Sequence, residues 1–187
     1  MYKELKKIFS DYDTKYPWEK DIGLKYLNLL EKYSQDAFFR DNMVGHFTWS
    51  MYVFNTDRTK VLLMHHKKLK KWIQFGWHAD WDSDIENVAL RELEEESWIT
   101  CTKKDLLKDF VDLDIHDIPA QATKGEAKHK HYDIRFWVDV DEQIAFIKEE
   151  KEVNDIQWFS FEEVEDMENE IWEESLLKVI KKIKKLN

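Results

Sequence analysis

One segment of the chain combines an apolar face that must be buried with an acidic face that must stay accessible. Residues Ser83 to Ser97 are predicted to form a helix, because Ser83 followed by Glu86 is a capping-box pair. Apolar residues recur along it at helical spacing, namely Ile85, Val88, Ala89 and Leu93. Glu92, Glu95 and Glu96 follow the spacing i, i+3, i+4, so their carboxylates share another face. The helix therefore has to pack with one side and keep three carboxylates together on the other.

Three carboxylates on one helix face repel one another unless a cation lies between them. Hard divalent ions with oxygen ligands, Mg²⁺ above all, fit such a site. The alternative is a solvated acidic face, which is common on protein surfaces. The spacing alone leaves both interpretations open.

The rest of the chain predicts one α/β domain that contains a mixed sheet and follows a helical extension. Residues 1–44 have helical spacing and are mostly polar, and residues 45–187 are assigned to the domain. Aromatic and β-branched residues predict strands or apolar segments at 46–54, 60–65, 72–75, 106–118, 131–140 and 156–159. Residues 162–186 are predicted to form a helix.

Charge and cysteine content restrict the partners and the location. The net charge of −10 argues against a general nucleic-acid binder, because such proteins need a basic surface. No apolar run reaches the roughly 20 residues that a membrane span needs, and the charged start of the chain lacks the features of a signal peptide. The single cysteine, Cys101, cannot form an internal disulfide, which fits a reducing compartment. We expect a cytoplasmic protein without a membrane or nucleic-acid partner.

The acidic helix and the residues before it resemble the Nudix box. That pattern reads Gly, five residues, Glu, seven residues, Arg-Glu, an aliphatic residue, any residue, Glu-Glu, any residue, Gly and an aliphatic residue. Its second half matches at Arg91, Glu92, Leu93, Glu95, Glu96 and Ile99. Trp77 and Trp98 stand where the pattern has glycine, and Ser83 where it has the isolated glutamate. Four flanking segments resemble one Nudix subgroup and extend the likeness over residues 45–160, namely 46–48, 71–72, 114–120 and 131–136.

The resemblance implies a Nudix fold, a mixed sheet between helices, and hydrolysis of a nucleoside diphosphate linked to another group. Glu92, Glu95, Glu96 and the backbone carbonyl of Gly76 are then the expected ligands of Mg²⁺, with Mn²⁺ as the alternative ion. Arg91 is expected to orient the glutamates, and Arg91, Glu92 and Glu95 form the expected catalytic set. The alternative function is a catalytically weak Nudix domain that binds a nucleotide as a regulator.

The general base and the substrate stay open at this stage. A helix glutamate or a later loop supplies the base in different family members; Glu149, Glu150 and Glu152 are the loop candidates, and their alternative interpretation is solvated charge. The box does not distinguish a nucleoside triphosphate, ADP-ribose or a dinucleoside polyphosphate. Homodimerisation is common in the family and cannot be read from the sequence. Isopentenyl-diphosphate isomerases share the fold, but Cys101 lies past the box on a predicted loop and gives no isomerase-specific cysteine site.

Closely spaced histidines raise the question of a second metal. His129 and His131 could share a strand face and, with His116 or His78, form a Zn²⁺ site. No cysteine or further spacing supports that site. His131, directly before Tyr132, is therefore interpreted as a pocket or core residue.

Glycine is scarce in the chain and tryptophan is abundant. There are 4 glycines and 9 tryptophans, whereas average usage would give about 13 glycines. Trp98 follows the predicted end of the acidic helix, where a left-handed cap is expected. Trp77 stands at a box glycine, and Trp81 stands where Asp-Gly would form a familiar turn. Our hypothesis is that the gene encodes glycine with UGA and that UGA has been read as tryptophan.

The codon hypothesis predicts UGA at positions 77, 81 and 98 of the source DNA, and UGG there would refute it. If the molecule does carry tryptophan, the box loop is expected to be distorted and hydrolysis weakened. Trp77→Gly and Trp98→Gly should then raise Mg²⁺-dependent turnover. A Trp form that is fully active and gains nothing from these substitutions would contradict this expectation.

Overall fold

The computed structural model describes residues 2–76, 78, 82–107, 111–121, 125–149, 151–167, 171 and 173–186. These residues form two compact units. Unit 1 contains the described residues of 1–49, 77–85 and 113–135, and unit 2 those of 50–76, 86–112 and 136–187. Among the described residues, no helix is both long and apolar enough to cross a membrane.

The described helices and strands come in groups along the chain, with the acidic helix between two groups of strands. Their bounds in chain order are α1 (Lys3–Lys15), α2 (Ile22–Tyr33), a 3₁₀ helix (Ser34–Phe38), β1 (His46–Asn55), β2 (Lys60–His66), β3 (Lys71–Ile73), α3 (Ile85–Ser97), β4 (Asp112–Ile118), β5 (His129–Val140), β6 (Val153–Ser160), α4 (Phe161–Asp166) and α5 (Glu173–Leu186). The strands are hydrogen-bonded in the order β3-β2-β1-β5-β4, and β6 pairs with β2. The predicted α/β class, with a mixed sheet, helices and a helical N-terminal segment, is confirmed.

In unit 1, buried aromatic rings attach the N-terminal helices to the sheet. Phe9 of α1 and Tyr26 of α2 lie with ring centroids 5.0 Å apart, and both contact Phe47 of β1, at 5.7 and 5.8 Å. The Tyr26 hydroxyl lies 2.7 Å from the backbone carbonyl oxygens of both Asp114 and Asp133, and it accepts a hydrogen bond from the Asp114 amide at 3.1 Å. The aromatic rings supply apolar burial, and the hydroxyl satisfies backbone groups of two strands.

Helices α1 and α2 approach each other closely at Gly23. A Cβ atom added there would lie 2.0 Å from the backbone carbonyl oxygen of Phe9. The carboxylate of Asp13 on α1 accepts hydrogen bonds from the amides of Gly23 and Leu24 at 2.8 and 3.0 Å. It therefore caps the start of α2, whose first amides have no partner within their own helix.

In unit 2, β2 is paired on both of its edges. It is antiparallel to β1, β3 and β6, with registers that include Val53 opposite Leu62 and Leu62 opposite Trp158. Helix α5 and residues of β1, β2, β5 and α4 form one buried apolar core. Its members are Tyr52, Phe54, Val61, Leu63, Trp137, Phe161, Val164, Ile171, Leu176, Val179, Ile180 and Ile183.

The predicted helix over residues 162–186 is interrupted, and in this respect the prediction is wrong. A capping box between Ser160 and Glu163 starts α4, which ends at Asp166. Ile171 is 1% exposed and forms a parallel bridge with Trp72. An extended, buried Ile171 cannot belong to a continuous helix, and the apolar periodicity resumes only in α5.

The acidic helix α3 begins at Ile85, two residues later than predicted. Asp84, and not Ser83, therefore directly precedes the first helical residue. The apolar stripe is buried as expected, since Ile85, Val88, Ala89 and Leu93 are at most 2% exposed.

Trp98 directly follows α3 and adopts the left-handed conformation expected of a glycine cap. Its φ is 62°, and its amide donates to the Glu94 carbonyl at 2.7 Å. The residue is 65% exposed, so its indole gains little from packing. The other two tryptophans at glycine-like positions, Trp77 and Trp81, lie outside the described residues.

Gly23→Ala is expected to destabilise the protein by about 1–3 kcal/mol, the usual cost of overpacking, because the new methyl group meets fixed backbone. Urea unfolding monitored by circular dichroism measures the change. Asn28→Ala is the matched control, because Asn28 lies on the same helix as Gly23 and is exposed, so its substitution by alanine should cost little. Equal losses in both variants would contradict a specific clash at Gly23.

Trp98→Gly is expected to stabilise the protein by about 1 kcal/mol, because a left-handed bulky residue costs on the order of 1–2 kcal/mol and glycine offsets part of that gain through its freer unfolded state. For a chain of this size, that corresponds to a rise in Tm of about 2–4 °C. Trp98→Ala keeps the Cβ atom and should not give this gain. If alanine stabilised as much as glycine, the exposed indole rather than the backbone conformation would be the cause.

Candidate functional site

The three glutamates of α3 lie in unit 2 and differ strongly in their exposure. The Glu95 side chain is 61% exposed and that of Glu92 is 25% exposed, whereas Glu96 is half-buried at the residue level and its carboxyl is shielded from solvent. The predicted acidic face therefore exists, and it runs from open solvent at Glu95 to a desolvated carboxyl at Glu96.

The carboxyl of Glu96 has a strongly raised pKa. Burial, and then the negative charges of Glu92, Glu152 and Glu95, raise its pKa to about 8. The backbone amide of Gly76 donates to Glu96 Oε2 at 3.3 Å and acts in the opposite direction. Burial and like charges both disfavour the ionised form of a carboxyl. A cation at this place would relieve both effects.

Gly76 supplies the backbone side of the site. It is buried, and its φ of 121° lies in the region that favours glycine. With its amide directed at Glu96, the residue lies next to the acidic face. The structure thus brings Gly76, predicted to contribute its carbonyl, to the most buried of the predicted metal ligands.

Arg91 lies beside the two more exposed glutamates. Its guanidinium is 3.9 Å from Glu92 Oε1 and 3.8 Å from Glu95 Oε1, and its side chain is 50% exposed. Ion pairs of this length and exposure contribute little to stability. Their geometry fits the predicted orienting role better than a structural one.

A loop from unit 2 is attached to the C-terminal end of α3. The amide of Ile147 donates to the Ser97 carbonyl at 2.9 Å, and that of Glu149 donates to the Glu96 carbonyl at 3.2 Å. These bonds satisfy two of the carbonyls that a helix end leaves free. They also bring the predicted loop acids to the end of the helix that carries Glu96.

The loop acids have different surroundings. The Glu149 carboxylate accepts hydrogen bonds from the amides of Lys151 and Glu152, at 2.8 and 3.1 Å, and is thereby held within its own turn. Glu152 is exposed, and its charge helps to raise the pKa of Glu96. Glu150 lies outside the described residues.

Histidines gather at a second place, in unit 1. The rings of the predicted pair His129 and His131 lie 5.2 Å apart between centroids, and His78 and His116 contact His131 at 5.1 and 5.4 Å. His46, which the sequence interpretation did not include, lies 4.8 Å from His131. Burial is the first cause that lowers the pKa of His46 to about 4 and that of His131 to about 2. Both imidazoles are therefore neutral at neutral pH.

The remaining two histidines, His65 and His66, lie at the end of β2 and belong to neither candidate site. His66 Nδ1 accepts hydrogen bonds from the amides of Lys68 and Leu69, both at 3.2 Å. It therefore holds the turn after β2.

Comparison with known proteins identifies the family. The model of the NUDIX domain matches residues 45–181. A probable DHNTP pyrophosphohydrolase from Lactococcus lactis subsp. cremoris is 29% identical over 126 residues, which are 67% of this chain and 73% of the relative.

Solved structures with low sequence identity share the fold. The dihydroneopterin triphosphate pyrophosphohydrolase of E. coli has a TM-score of 0.56 at 12% identity, covering 73% of this chain and 92% of its own. An Ap4A hydrolase of C. elegans has a TM-score of 0.53 at 16% identity, with 76% and 96% covered. The NUDIX domain of Shewanella oneidensis NrtR, solved with ADP ribose, has a TM-score of 0.54 at 18% identity, with 86% and 98% covered.

The family match spans well over half of the chain and includes Gly76, the whole of α3 and the loop attached to it. The chain therefore belongs to the Nudix family and is a Nudix-type pyrophosphohydrolase, as the second half of its box predicted.

Proposed function

We propose that Glu92, Glu95, Glu96 and the backbone carbonyl of Gly76 hold Mg²⁺ and that the protein cleaves the pyrophosphate bond of a nucleoside diphosphate linked to another group. The observation that carries this proposal is the position of Glu96. Its carboxyl is desolvated, surrounded by the charges of three further glutamates and backed by the Gly76 amide.

The residues present fit a hard divalent cation. Mg²⁺ prefers carboxylate and carbonyl oxygens and keeps several waters, and the acidic face offers carboxylates that range from buried to open. Without a cation, burial and repulsion keep Glu96 protonated near neutral pH. Ionised Glu96 requires a compensating positive charge, and a bound divalent ion supplies it.

Each residue then has a separate task. When bound, the ion neutralises charge that develops on the pyrophosphate and lowers the pKa of the attacking water. Arg91 limits the rotamers of Glu92 and Glu95 through its long contacts with both. Gly76 fixes the Glu96 carboxylate with its amide.

For the general base, we favour Glu152 among the loop acids. Glu149 already accepts two backbone hydrogen bonds within its turn, so its carboxylate is committed there. Glu152 is exposed, and its charge acts on Glu96. A carboxylate near the metal ligands can accept a proton from a water that is polarised by the ion.

The substrate belongs to the class that the relatives handle. The named relatives act on DHNTP or Ap4A, and one was solved with ADP ribose. All three compounds contain a phosphoanhydride linkage, which is the feature that a metal held by the box would address.

Three further proposals have separate grounds. The single cysteine supports a cytoplasmic location, and the extent of the box flanks supports a catalytic domain over residues 45–187. Homodimerisation is proposed because it is common in the family.

Glu96→Gln is expected to lower Mg²⁺-dependent kcat by about 100-fold or more, because each factor of ten corresponds to about 1.4 kcal/mol and a metal ligand supplies several kcal/mol. The measurement is phosphate or nucleotide release from dihydroneopterin triphosphate, Ap4A and ADP-ribose. Glu94→Gln is the matched control, since Glu94 lies on the same helix and is exposed; it should keep wild-type turnover.

Glu152→Gln and Glu149→Gln compare the two loop acids, and only Glu152→Gln should lower kcat.

Wild-type turnover by Glu96→Gln would refute the metal assignment. If none of the three compounds were hydrolysed with Mg²⁺ or Mn²⁺ while one bound tightly, the protein would instead be the regulatory nucleotide-binding domain. Equal effects of Glu149→Gln and Glu152→Gln would contradict the choice of base.

A further inference from the structure

Five of the chain's seven histidines form one cluster in unit 1, whereas the glutamates of α3 belong to unit 2. Their rings are separated by 4.8–5.4 Å between the centroids of neighbours, and the members are His46, His78, His116, His129 and His131. They come from three strands that are neighbours in the sheet, β1, β5 and β4, and from the segment that bridges to β1 at Thr48.

Three of these side chains are close enough to share one ion. His46, His129 and His131 each offer a ligand atom, and these atoms lie within 4.8 Å of one another. The Nε2 atoms of His129 and His131 are 3.3 Å apart. Two nitrogen ligands of a tetrahedral Zn²⁺ ion, each at about 2.0–2.1 Å from the metal, lie about 3.3–3.4 Å apart. One edge of such a tetrahedron is therefore already in place.

Backbone hydrogen bonds fix the tautomers of two of the three histidines, His129 and His46. His129 Nδ1 lies 2.8 Å from the Ala127 carbonyl oxygen, and His46 Nδ1 lies 3.3 Å from that of Asn42. A carbonyl oxygen only accepts, so each Nδ1 carries the proton and each Nε2 keeps a lone pair. A ligating histidine characteristically donates its other ring N–H to a backbone carbonyl or a carboxylate in this way.

His46 has a buried ring nitrogen that no described residue satisfies. Its Nε2 atom is buried and has no hydrogen-bond partner among the described residues. An unsatisfied buried polar atom destabilises the folded state, because it loses its hydrogen bonds to water and gains none in return. A packed histidine core would leave this cost uncompensated, whereas coordination removes it.

The two outer histidines are not equivalent. His116 Nδ1 lies 3.2 Å from Asp114 Oδ2, so its Nε2 is also available, as in a carboxylate–histidine–metal arrangement. His78 Nδ1 accepts from the Arg40 guanidinium at 2.8 Å. That lone pair is engaged, and the nearby cation makes His78 a poor ligand. His116 is therefore the better fourth side chain.

We propose that His46, His129 and His131 bind a Zn²⁺ ion, with His116 or a water in the fourth position, and that this ion is separate from the Mg²⁺ of the glutamate site. Imidazole nitrogen suits zinc and its transition-metal neighbours, whereas Mg²⁺ selects oxygen. The ion would join His46, the first residue of β1, to His129 and His131 at the start of β5. These two places are more than eighty residues apart in the sequence.

The test uses the full chain, prepared without a polyhistidine tag and freed of metal with a chelator. Titration with Zn²⁺ in excess Mg²⁺, followed by calorimetry and elemental analysis, is expected to give one tightly bound zinc per chain. Co²⁺ in place of Zn²⁺ is expected to give intense visible absorption typical of tetrahedral nitrogen coordination. Zn²⁺ should also raise Tm, because a ligand that binds only the native state stabilises it.

His46→Gln and His129→Gln should each weaken Zn²⁺ binding about 100-fold or more and abolish the Co²⁺ bands, since each removes one of three ligands. His65→Gln is the matched control, because His65 hydrogen-bonds Asn154 and lies outside the cluster; it should bind as the wild type does. Glu96→Gln should likewise keep the zinc, which separates this site from the hydrolytic one.

The proposal fails if the wild-type chain binds no zinc in excess Mg²⁺ or gives no tetrahedral Co²⁺ spectrum. Both measurements need no substitution and so do not depend on how a variant folds. It also fails if folded His46→Gln and His129→Gln, checked by circular dichroism, bind zinc as tightly as His65→Gln does.

Discussion

Electrostatic repulsion among glutamates is the constraint on which the proposed metal site of unit 2 depends. The apolar stripe of α3 fixes which way the helix faces, and that leaves Glu96 desolvated beside Glu92 and Glu152. Two groups nearby offset part of the repulsion, the Gly76 amide at Glu96 and Arg91 at the outer pair. Glu96 nevertheless keeps a raised pKa, and this is the imbalance that the proposed divalent ion would relieve.

Local patterns in the sequence predicted the elements whose residues lie close together in the chain. The buried stripe of α3, its acidic face and the left-handed cap at Trp98 all follow from spacing within one or two helical turns. The end of the last helix did not follow, because Ile171 is held extended by Trp72, a residue a hundred positions earlier. Apolar periodicity carries no sign of such a distant partner.

The two candidate sites also combine features that nearby residues determine with features that depend on distant parts of the chain. Glu92, Glu95 and Glu96 could be grouped from their numbers alone. The raised pKa of Glu96 could not be predicted in this way, because it depends first on burial and then on groups elsewhere in the chain, namely the Gly76 amide that opposes the shift and the charge of Glu152 that adds to it. Likewise, the pair His129 and His131 is visible in sequence as an i, i+2 spacing. His46 joins them only because β1 and β5 are neighbours in the sheet, and no short-range signal predicts that pairing.

The hydrogen bonds of the Tyr26 hydroxyl indicate that the N-terminal helices are part of the folded core. The family match starts at residue 45, yet this single oxygen contacts backbone groups of both Asp114 and Asp133, and Phe47 is fully buried against the rings of α1 and α2. A chain shortened to the family match would expose that ring and leave polar backbone atoms of two strands to water. The N-terminal helices therefore cover part of the core of unit 1. A chain that began at residue 45, where the family match begins, would lose this cover.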